Sequence, residues 1–461
     1  MADAAGLAIL GGGAAGLLAA IRAAEGGARG VVVLEAAPQA GRKILVSGGG
    51  RCNVLPMQEA RERFVSSAPA RVVGRYLARV PLADQRAFFE DLLGGKLREE
   101  AETRKLFPPS NRAKDVRDAL VARAAAAGAR VRTGAAVREL GRSGAGFAIR
   151  LAGAPDLTAP RVILATGGLS VLGGGADGGG YAWAASLGHA VLPTYPALVP
   201  LTGDAPAHHA LSGVSVNARV TARSGSGSAS SEGGFLFTHK GWSGPAVLDV
   251  SHVVEKAARA GARAEINVCF GFGEQEKEKE KISAKRRERE EEEISLNGPV
   301  HGAAPRRTTD VSAVAAAWDE ALRRGGASRA GGSLSSFLRR SSSSSSSLSS
   351  LPDRLIQLIL ETSGVADQPL ARLPRDARRR VAATLSAFPL PATGTEGYRT
   401  AEVTGGGVAL DEVDPGSGKS RIVPGLWLAG EVLDAFGPIG GFNFQWAWGT
   451  GWTAGVSAAR A

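Results

Sequence analysis

The sequence predicts an α/β fold of the Rossmann type, in which a parallel sheet is interrupted by an inserted domain. The stretch LAILGGGAAGLLAA, residues 7–20, is typical of a strand, a glycine turn and a helix, and VVVLE at residues 31–35 is typical of a buried strand. Two further apolar runs, RVILATGG at 161–168 and GLWLAGEV at 425–432, have the same character. Strands of one parallel sheet that are so far apart along the chain imply a domain inserted between them.

Composition and charge narrow the class of protein. Of the 461 residues, 44% are hydrophobic and 21% are charged, which is ordinary for a soluble globular protein of two or three domains. The two cysteines, Cys52 and Cys269, cannot form a disulfide framework, and no basic segment precedes the first apolar run. Both features favour a reducing, cytoplasmic location without a signal peptide.

The net charge of +11 raises the question of a nucleic-acid partner. The arginines are mostly scattered among alanines, however, and no nucleic-acid motif is visible. The uncharged stretch 435–459 contains Pro438 and six glycines, which makes it a poor membrane span. We therefore expect a small-molecule substrate, no nucleic acid and no membrane.

The glycine turn fits the dinucleotide pattern G-x-G-x-x-G, because it consists of Gly11, Gly12, Gly13, Ala14, Ala15 and Gly16. In this pattern Gly11 allows a tight turn, Gly13 lets the backbone approach a pyrophosphate, and Gly16 lets helix and strand pack closely. Glu35, at the end of the next strand, can accept hydrogen bonds from ribose hydroxyls and would repel a 2′-phosphate. With 63 glycines chance matches are common, so the strand–turn–helix–strand context carries the prediction.

Two further stretches favour FAD over NAD. GRKILVSGGGRCNV, residues 41–54, brings Arg42, Lys43 and Arg51 close to the predicted pyrophosphate site, which suits a long polyanionic cofactor. At the far end of the chain, GPIGGFNFQWAWGTG (437–451) is a second glycine-rich turn entering a helix. The N-terminus of such a helix could stabilise negative charge on a flavin.

Four long motifs resemble the BaiN-like flavoproteins, a family also described as NAD(P)/FAD-dependent or aminoacetone-oxidase-like oxidoreductases. They are residues 41–54, FLFTHKGWSGPAVLDVS (235–251), AEVTGGGVALDEVD (401–414) and 425–455, in the family's order. The resemblance implies FAD in a Rossmann-type domain built from both ends of the chain, with a β-rich and helical insert. We expect the parts to span 1–190, 191–388 and 389–461.

Carried over residue by residue, the resemblance implies an extended FAD site. It places the ADP half at Gly11, Gly13, Gly16 and Glu35, with Val137 near the adenine. It places the middle of FAD and the flavin at Lys43, Ser47, Gly48, Gly49, Gly50, Arg51 and Asn53, with Thr166 and Gly167 closing over the cofactor. It places the ribityl chain and isoalloxazine at Gly430, Glu431, Gly441, Phe442 and Asn443.

Two side chains are candidates for catalysis. Cys52 lies in the predicted flavin-side loop, but no second cysteine stands at C-x-x-C spacing, so a packed structural thiol is the favoured interpretation. His239 follows an apolar strand, where it could donate a proton to substrate, although a loop-ordering role is favoured. No metal is expected, since no paired-cysteine or H-E-x-x-H spacing occurs.

The leading hypothesis is an FAD-dependent oxidoreductase whose flavin is reduced by NAD(P)H and passes electrons to a small organic acceptor or to oxygen. One alternative is an oxidase of a small amine or alcohol. Another is a non-catalytic flavin-holding interaction protein, which the basic charge keeps open. The Glu/Lys/Arg-rich stretch 274–293 and the serine-rich stretch 341–350 are expected to be solvent-projecting insertions without chemistry.

Overall fold

The computed structural model describes residues 3–170, 178–225, 227–270, 311–327, 332–340 and 351–461. The chain divides into two compact units, one formed by residues 1–198 with 397–461 and the other by residues 199–396. Both divisions lie further along the chain than the boundaries expected after residues 190 and 388. The stretches 274–293 and 341–350 lie outside the described residues.

Up to residue 198 the chain consists of short strands and helices. The strands are β1 (Asp3–Ala4), β2 (Leu7–Leu10), β3 (Val31–Leu34), β4 (Leu55–Pro56), β5 (Arg98–Glu100), β6 (Lys105–Phe107), β7 (Arg130–Arg132), β8 (Val137–Ser143), β9 (Gly146–Leu151), β10 (Leu157–Ala159), β11 (Val162–Leu164) and β12 (Val191–Ala197). The helices are α1 (Ala14–Glu25), α2 (Arg42–Val46), α3 (Ala70–Arg79), α4 (Leu82–Leu92), α5 (Ala113–Ala126) and α6 (Gly179–Ser186).

The second unit combines one antiparallel sheet with helices. Its strands are β13 (Leu201–Thr202), β14 (Ser215–Ser224), β15 (Gly227–Thr238), β16 (Gly241–Ser243), β17 (Glu265–Phe270), β18 (Phe388–Pro389) and β19 (Gly394–Thr395). Its helices are α7 (Pro206–His209), α8 (Pro245–Arg259), α9 (Val311–Ala327), α10 (Leu334–Arg340), α11 (Asp353–Ser363) and α12 (Arg375–Ser386). The sheet order is β18-β17-β14-β15-β16-β13-β19, so the insert is β-rich and helical, as the resemblance implied.

The last part of the chain returns to the first unit with β20 (Val403–Val408), β21 (Leu426–Leu428) and α13 (Phe442–Ala459). It completes a five-stranded sheet of order β21-β11-β2-β3-β7, and every pair in this sheet is parallel. The four apolar runs singled out in the sequence supply β2, β3, β11 and β21, and all residues of these strands are buried. The prediction of one parallel sheet assembled from both ends of the chain is confirmed.

Helices α1 and α13 lie against each other at very short range. A Cβ atom on Gly451 would lie 2.4 Å from the carbonyl oxygen of Ala15, and one on Gly455 would lie 2.4 Å from that of Ala19. Glycine is therefore required at both positions of α13. Although α13 holds most of the uncharged stretch noted in the sequence, none of the helices within the described residues has the length and apolar character needed to cross a bilayer.

Candidate functional site

A cavity of about 610 Å³ lies at the carboxyl ends of the parallel strands. Leu10 ends β2, Leu34 ends β3, and Ala165 directly follows β11; all three line the cavity. The direction of strand order changes at β2, because β3 lies on one side of it and β11 on the other. Ligands of open α/β sheets bind at such a switch point, and the volume is in the range of small-molecule sites.

The glycine turn forms one wall of this cavity. Gly11 has a φ of +105°, and a Cβ there would lie 2.3 Å from the carbonyl oxygen of Ala165. A Cβ on Gly16 would lie 1.9 Å from the carbonyl oxygen of Gly11. Gly13, by contrast, faces open space, with no atom within 4 Å of a built Cβ. Gly11 and Gly16 are thus required by close backbone packing, while Gly13 leaves open space in front of α1.

The first turn of α1 points at the cavity. Gly13 is the N-cap residue, and Gly13, Ala14 and Ala15 all line the cavity wall. The first amides of a helix have no intrahelical acceptor, and the helix dipole adds partial positive charge there. This end of the cavity is therefore suited to a pyrophosphate.

Glu35 connects the end of β3 to the glycine turn. Its Oε2 accepts a hydrogen bond from the Gly12 N–H at 2.8 Å, and its Oε1 accepts one from the Ala37 N–H at 2.8 Å. A carboxylate oxygen has two acceptor positions, so each oxygen keeps one for a ligand hydroxyl. The carboxylate is held in place before any ligand arrives.

An ion pair crosses another part of the wall. Lys43 Nζ donates to Glu431 Oε2 at 2.6 Å and to Ser170 Oγ at 2.8 Å. The other oxygen, Glu431 Oε1, accepts from Ser170 Oγ at 3.1 Å and from the Thr404 N–H at 2.9 Å. Residues 43 and 431, which the resemblance assigned to the cofactor, are thus also bonded to each other.

The loop after α2 contributes a glycine-rich and basic wall. Gly48 and Gly49 have φ values of +57° and +67°, the left-handed region that favours glycine. Arg51 forms an ion pair with Glu100 at 3.0 Å, and its guanidinium lies 4.0 Å from the centre of the Phe107 ring. The loop is thereby fixed against β6.

The turn before α13 is held by an asparagine. Asn443 donates from Nδ2 to the Gly437 carbonyl and accepts at Oδ1 from the Gly437 N–H, both at 2.9 Å. Gly441 caps the helix with a φ of +94°, and Phe442 packs its ring edge-to-face on Phe64 at 6.1 Å. The side chains at 442 and 443 therefore shape the turn.

The structure brings most of the residues implied by the resemblance to one cavity. Its lining includes Gly11, Gly13, Ala14, Ala15, Glu35, Lys43, Ser47, Gly48, Gly49, Arg51, Asn53, Val137, Thr166, Gly167, Gly430, Glu431, Gly441 and Asn443. Three implied residues are outside the lining: Gly16, Gly50 and Phe442. Several lining residues were missed, among them Lys105, Phe107, Trp183, Arg399 and Trp446. The basic and aromatic residues of RKLF (104–107) were the sequence signal that could have identified Lys105 and Phe107 as lining residues.

Neither of the two catalytic candidates is among the residues that line the cavity. Cys52 is fully buried and is not part of the cavity wall. Burial raises the pKa of its thiol to about 12, against a weaker opposing hydrogen bond involving Ser47, so the nucleophilic thiolate is strongly disfavoured. His239 is exposed in the turn that joins β15 to β16 in the second unit. The geometry favours the packing interpretation for Cys52.

The donor set of the cavity fits FAD. The Thr166 hydroxyl lies on the wall, buried and without a hydrogen-bond partner, so it is available to a bound polar group. Open glycine positions, the first turn of α1 and the basic loop after α2 suit a long polyanion. Among the residues that the structure describes, no cluster of His, Cys, Asp and Glu could hold a metal ion.

Comparison with known proteins gives a family and several relatives. Residues 5–457 match the family described as HI0933-like protein Rossmann domain. A ribosomal RNA dihydrouridine synthase of Escherichia coli (strain K12) is 31% identical over 449 residues, covering 96% of this chain and 95% of the relative. A 3-dehydro-bile acid delta(4,6)-reductase of Clostridium scindens is 30% identical over 460 residues, covering 98% of each. A solved 3-ketosteroid-delta4-(5alpha)-dehydrogenase of Rhodococcus jostii RHA1 is 15% identical, with a TM-score of 0.48 and coverage of 100% and 97%.

Proposed function

The chain belongs to the HI0933-like protein Rossmann domain family, and from that premise we propose that it reduces a carbon–carbon double bond conjugated with a carbonyl group. The family consists of FAD-dependent oxidoreductases, so the chain is an FAD-dependent oxidoreductase. The proposal concerns the acceptor and the reductant. One observation supports it. Two relatives that match this chain over nearly its full length are named after reactions, and those reactions share a feature.

Both names describe the same bond change. Dihydrouridine forms from uridine when two hydrogens add across a ring double bond that is conjugated with a carbonyl. A reductase of 3-dehydro delta(4,6) bile acids acts on double bonds conjugated with the 3-keto group. In such a system a hydride adds at the carbon remote from the carbonyl, and a proton adds at the adjacent carbon. We extend this acceptor class, an unsaturated carbonyl compound, to the present chain.

FAD supplies reversible hydride chemistry when it is bound, and the protein contributes placement and electrostatics. The amides at the start of α1, beside Gly13, would hold the pyrophosphate. Glu35 would accept from the adenosine ribose, and Val137 with Trp183 would contact the adenine. Thr166 and Glu431 would bind polar groups further along the cofactor. These assignments rest on the lining of the cavity and on the resemblance.

We propose NAD(P)H as the reductant. The overall reaction balances as NAD(P)H, one proton and the unsaturated carbonyl compound giving NAD(P)⁺ and the saturated compound. The chain has one convincing dinucleotide turn, at Gly11–Gly16. A second nucleotide would therefore bind transiently, with a KM toward the upper end of the micromolar-to-millimolar range and little preference between NADH and NADPH.

Anaerobic stopped-flow mixing tests this proposal. NADH and NADPH should each bleach the flavin absorbance of the purified holoenzyme. A 3-oxo-4,6-diene steroid or a uridine-containing RNA should then restore the absorbance, whereas the saturated counterpart of each compound should not. If only oxygen restored the flavin absorbance, the proposed acceptor class would be overturned. Bleaching by a small amine but not by millimolar NAD(P)H would establish the oxidase alternative instead.

Glu35→Ala is expected to weaken FAD binding by about 1–3 kcal/mol, because the ribose hydroxyls lose a charged acceptor and the Gly12 N–H loses its partner. Glu35→Gln, which keeps one acceptor oxygen, should lose less. Titration of the apoprotein with FAD measures both changes. An unchanged affinity in Glu35→Ala would mean that this carboxylate only shapes the turn.

A further inference from the structure

Helix α3 carries a row of arginines on its exposed face. Arg71, Arg75 and Arg79 stand at successive i, i+4 positions and are all exposed. The residues between them on this face are Gly74 and Ala78, and a Cβ built at Gly74 would have no atom within 4 Å. We call Arg71, Arg75 and Arg79 the α3 arginine row. Because small residues separate its members, a bulky partner can approach closely.

The arginines of this row form no ion pair within the described part of the chain. On neighbouring helices the basic side chains have acidic partners one turn away: Arg86 on α4 pairs with Glu90 at 2.9 Å, and Lys114 on α5 pairs with Asp118 at 2.7 Å. The α3 sequence, ARVVGRYLAR, contains no acidic residue. Among the described residues, no ion pair involves a member of the α3 arginine row.

Like charges at i, i+4 disfavour an isolated helix by a few tenths of a kcal/mol per pair, roughly the reverse of a salt bridge at that spacing. The inner face of α3 offsets this cost, since Val73, Tyr76 and Leu77 are buried. The Tyr76 hydroxyl also donates to the carbonyl oxygens of Leu410 and Val413, at 3.1 and 2.9 Å. The row is therefore held on a rigid, well-packed helix.

The position of α3 links this row to the candidate site. The Tyr76 ring lies 5.3 Å from the ring of Trp446, and Trp446 lines the cavity. The short helix Arg61–Arg63 precedes α3, and its arginines are exposed as well. The arginine row is therefore carried by the same helix whose Tyr76 ring contacts Trp446 of the cavity lining.

We propose that the α3 arginine row binds the phosphodiester backbone of an RNA. Guanidinium groups match phosphate oxygens in a bidentate way, and members of the row follow each other at about 6 Å of helix rise, a linear array suited to consecutive phosphates. The outer face has no large apolar residue with which to enter a membrane surface. This surface departs from the expectation that nucleic acid plays no part.

The proposal that RNA binds to this surface is argued from the geometry of α3 alone. A further step, in which a uridine of the bound RNA serves as the unsaturated carbonyl acceptor, rests on the proposed function. The two parts can therefore fail separately.

Replacement of the row by glutamine tests the surface. Arg71→Gln, Arg75→Gln and Arg79→Gln are combined in one holoenzyme variant. The matched control combines Arg372→Gln, Arg375→Gln and Arg379→Gln, which removes the same charge from exposed arginines of the second unit. Binding of a fluorescein-labelled, uridine-rich RNA oligonucleotide is followed by anisotropy over a series of salt concentrations. Flavin content and melting temperature verify that both variants are folded.

The α3 variant should lose at least tenfold in RNA affinity, and the slope of log affinity against log salt should fall in magnitude by about 2, the value for three contacts to single-stranded phosphates. The control variant should bind like the unmodified protein. Equal weakening by both variants, or unchanged binding by the α3 variant, would overturn the proposal. Displacement of the RNA by anionic phospholipid vesicles would also overturn it.

Reduction of the diene steroid should be the same in the unmodified protein and in both variants. If none of the three proteins reduced the steroid, the proposed function would be contradicted, but the proposal of an RNA-binding surface would not.

Discussion

Gly16→Ala is expected to prevent the first unit from folding normally, while Gly13→Ala should leave the fold intact and remove most of the affinity for FAD. A Cβ at Gly16 of α1 would lie 1.9 Å from the backbone carbonyl oxygen of Gly11 in the preceding turn. Neither can move without displacing α1 or β2, so we expect a loss of about 3 kcal/mol or more in the free energy of unfolding.

The same substitution at Gly13 meets nothing within 4 Å, and the φ of −81° there is one that alanine adopts readily. Exchanging the N-cap glycine for alanine should change stability by about 1 kcal/mol or less. The added methyl group would nevertheless occupy the space in front of α1 that we assign to the pyrophosphate. We expect FAD affinity to fall at least tenfold.

Thermal unfolding of the two apoproteins, followed by titration with FAD, separates the two effects. A Gly13→Ala protein that binds FAD normally would show that the pyrophosphate lies elsewhere. A Gly16→Ala protein with a normal melting temperature would contradict the account of the turn itself.

Glu431→Ala should be the next most damaging change. It removes the acceptor shared by the Lys43 ammonium, the Ser170 hydroxyl and the Thr404 N–H. Residues 170 and 404 are fully buried, so water cannot replace the lost carboxylate at every donor. We expect the free energy of unfolding of the apoprotein to fall by about 2–4 kcal/mol. FAD should also dissociate faster, since Glu431 lines the cavity.

Lys43→Met is the matched control, because it removes one of the donors but keeps the length of the side chain. The side chain of Lys43 is 30% exposed, so its loss should cost only about 1 kcal/mol. Combining the two substitutions in a double-mutant cycle gives the coupling energy of the pair. A coupling near zero would mean that Lys43 and Glu431 act independently.

Four strands of the parallel sheet, β2, β3, β11 and β21, were predictable because they are buried on both faces. That environment demands continuous apolar runs such as Leu7–Leu10 and Val31–Leu34, which stand out from the sequence. Strand β2 matches its run, whereas β3, β11 and β21 are shorter than the runs that predicted them. The extra residues, among them Glu35 and Glu431, continue past the strand ends into the cavity wall.

Other parts of the site could not be found by reading along the chain. Trp183 and Arg399 line the cavity only because distant segments come together there, and neither belongs to a recognisable motif. Such proximity between distant segments depends on the tertiary fold, which local sequence does not specify.

The close contact between α1 and α13 has a consequence for biosynthesis. Translation runs from Ala15 and Ala19 toward Gly451 and Gly455, which fit against them and lie 436 residues further along the chain. The side of the alanine-rich helix α1 that receives α13 therefore stays uncovered until those residues have been made. During that interval the nascent chain presents this apolar side to a chaperone.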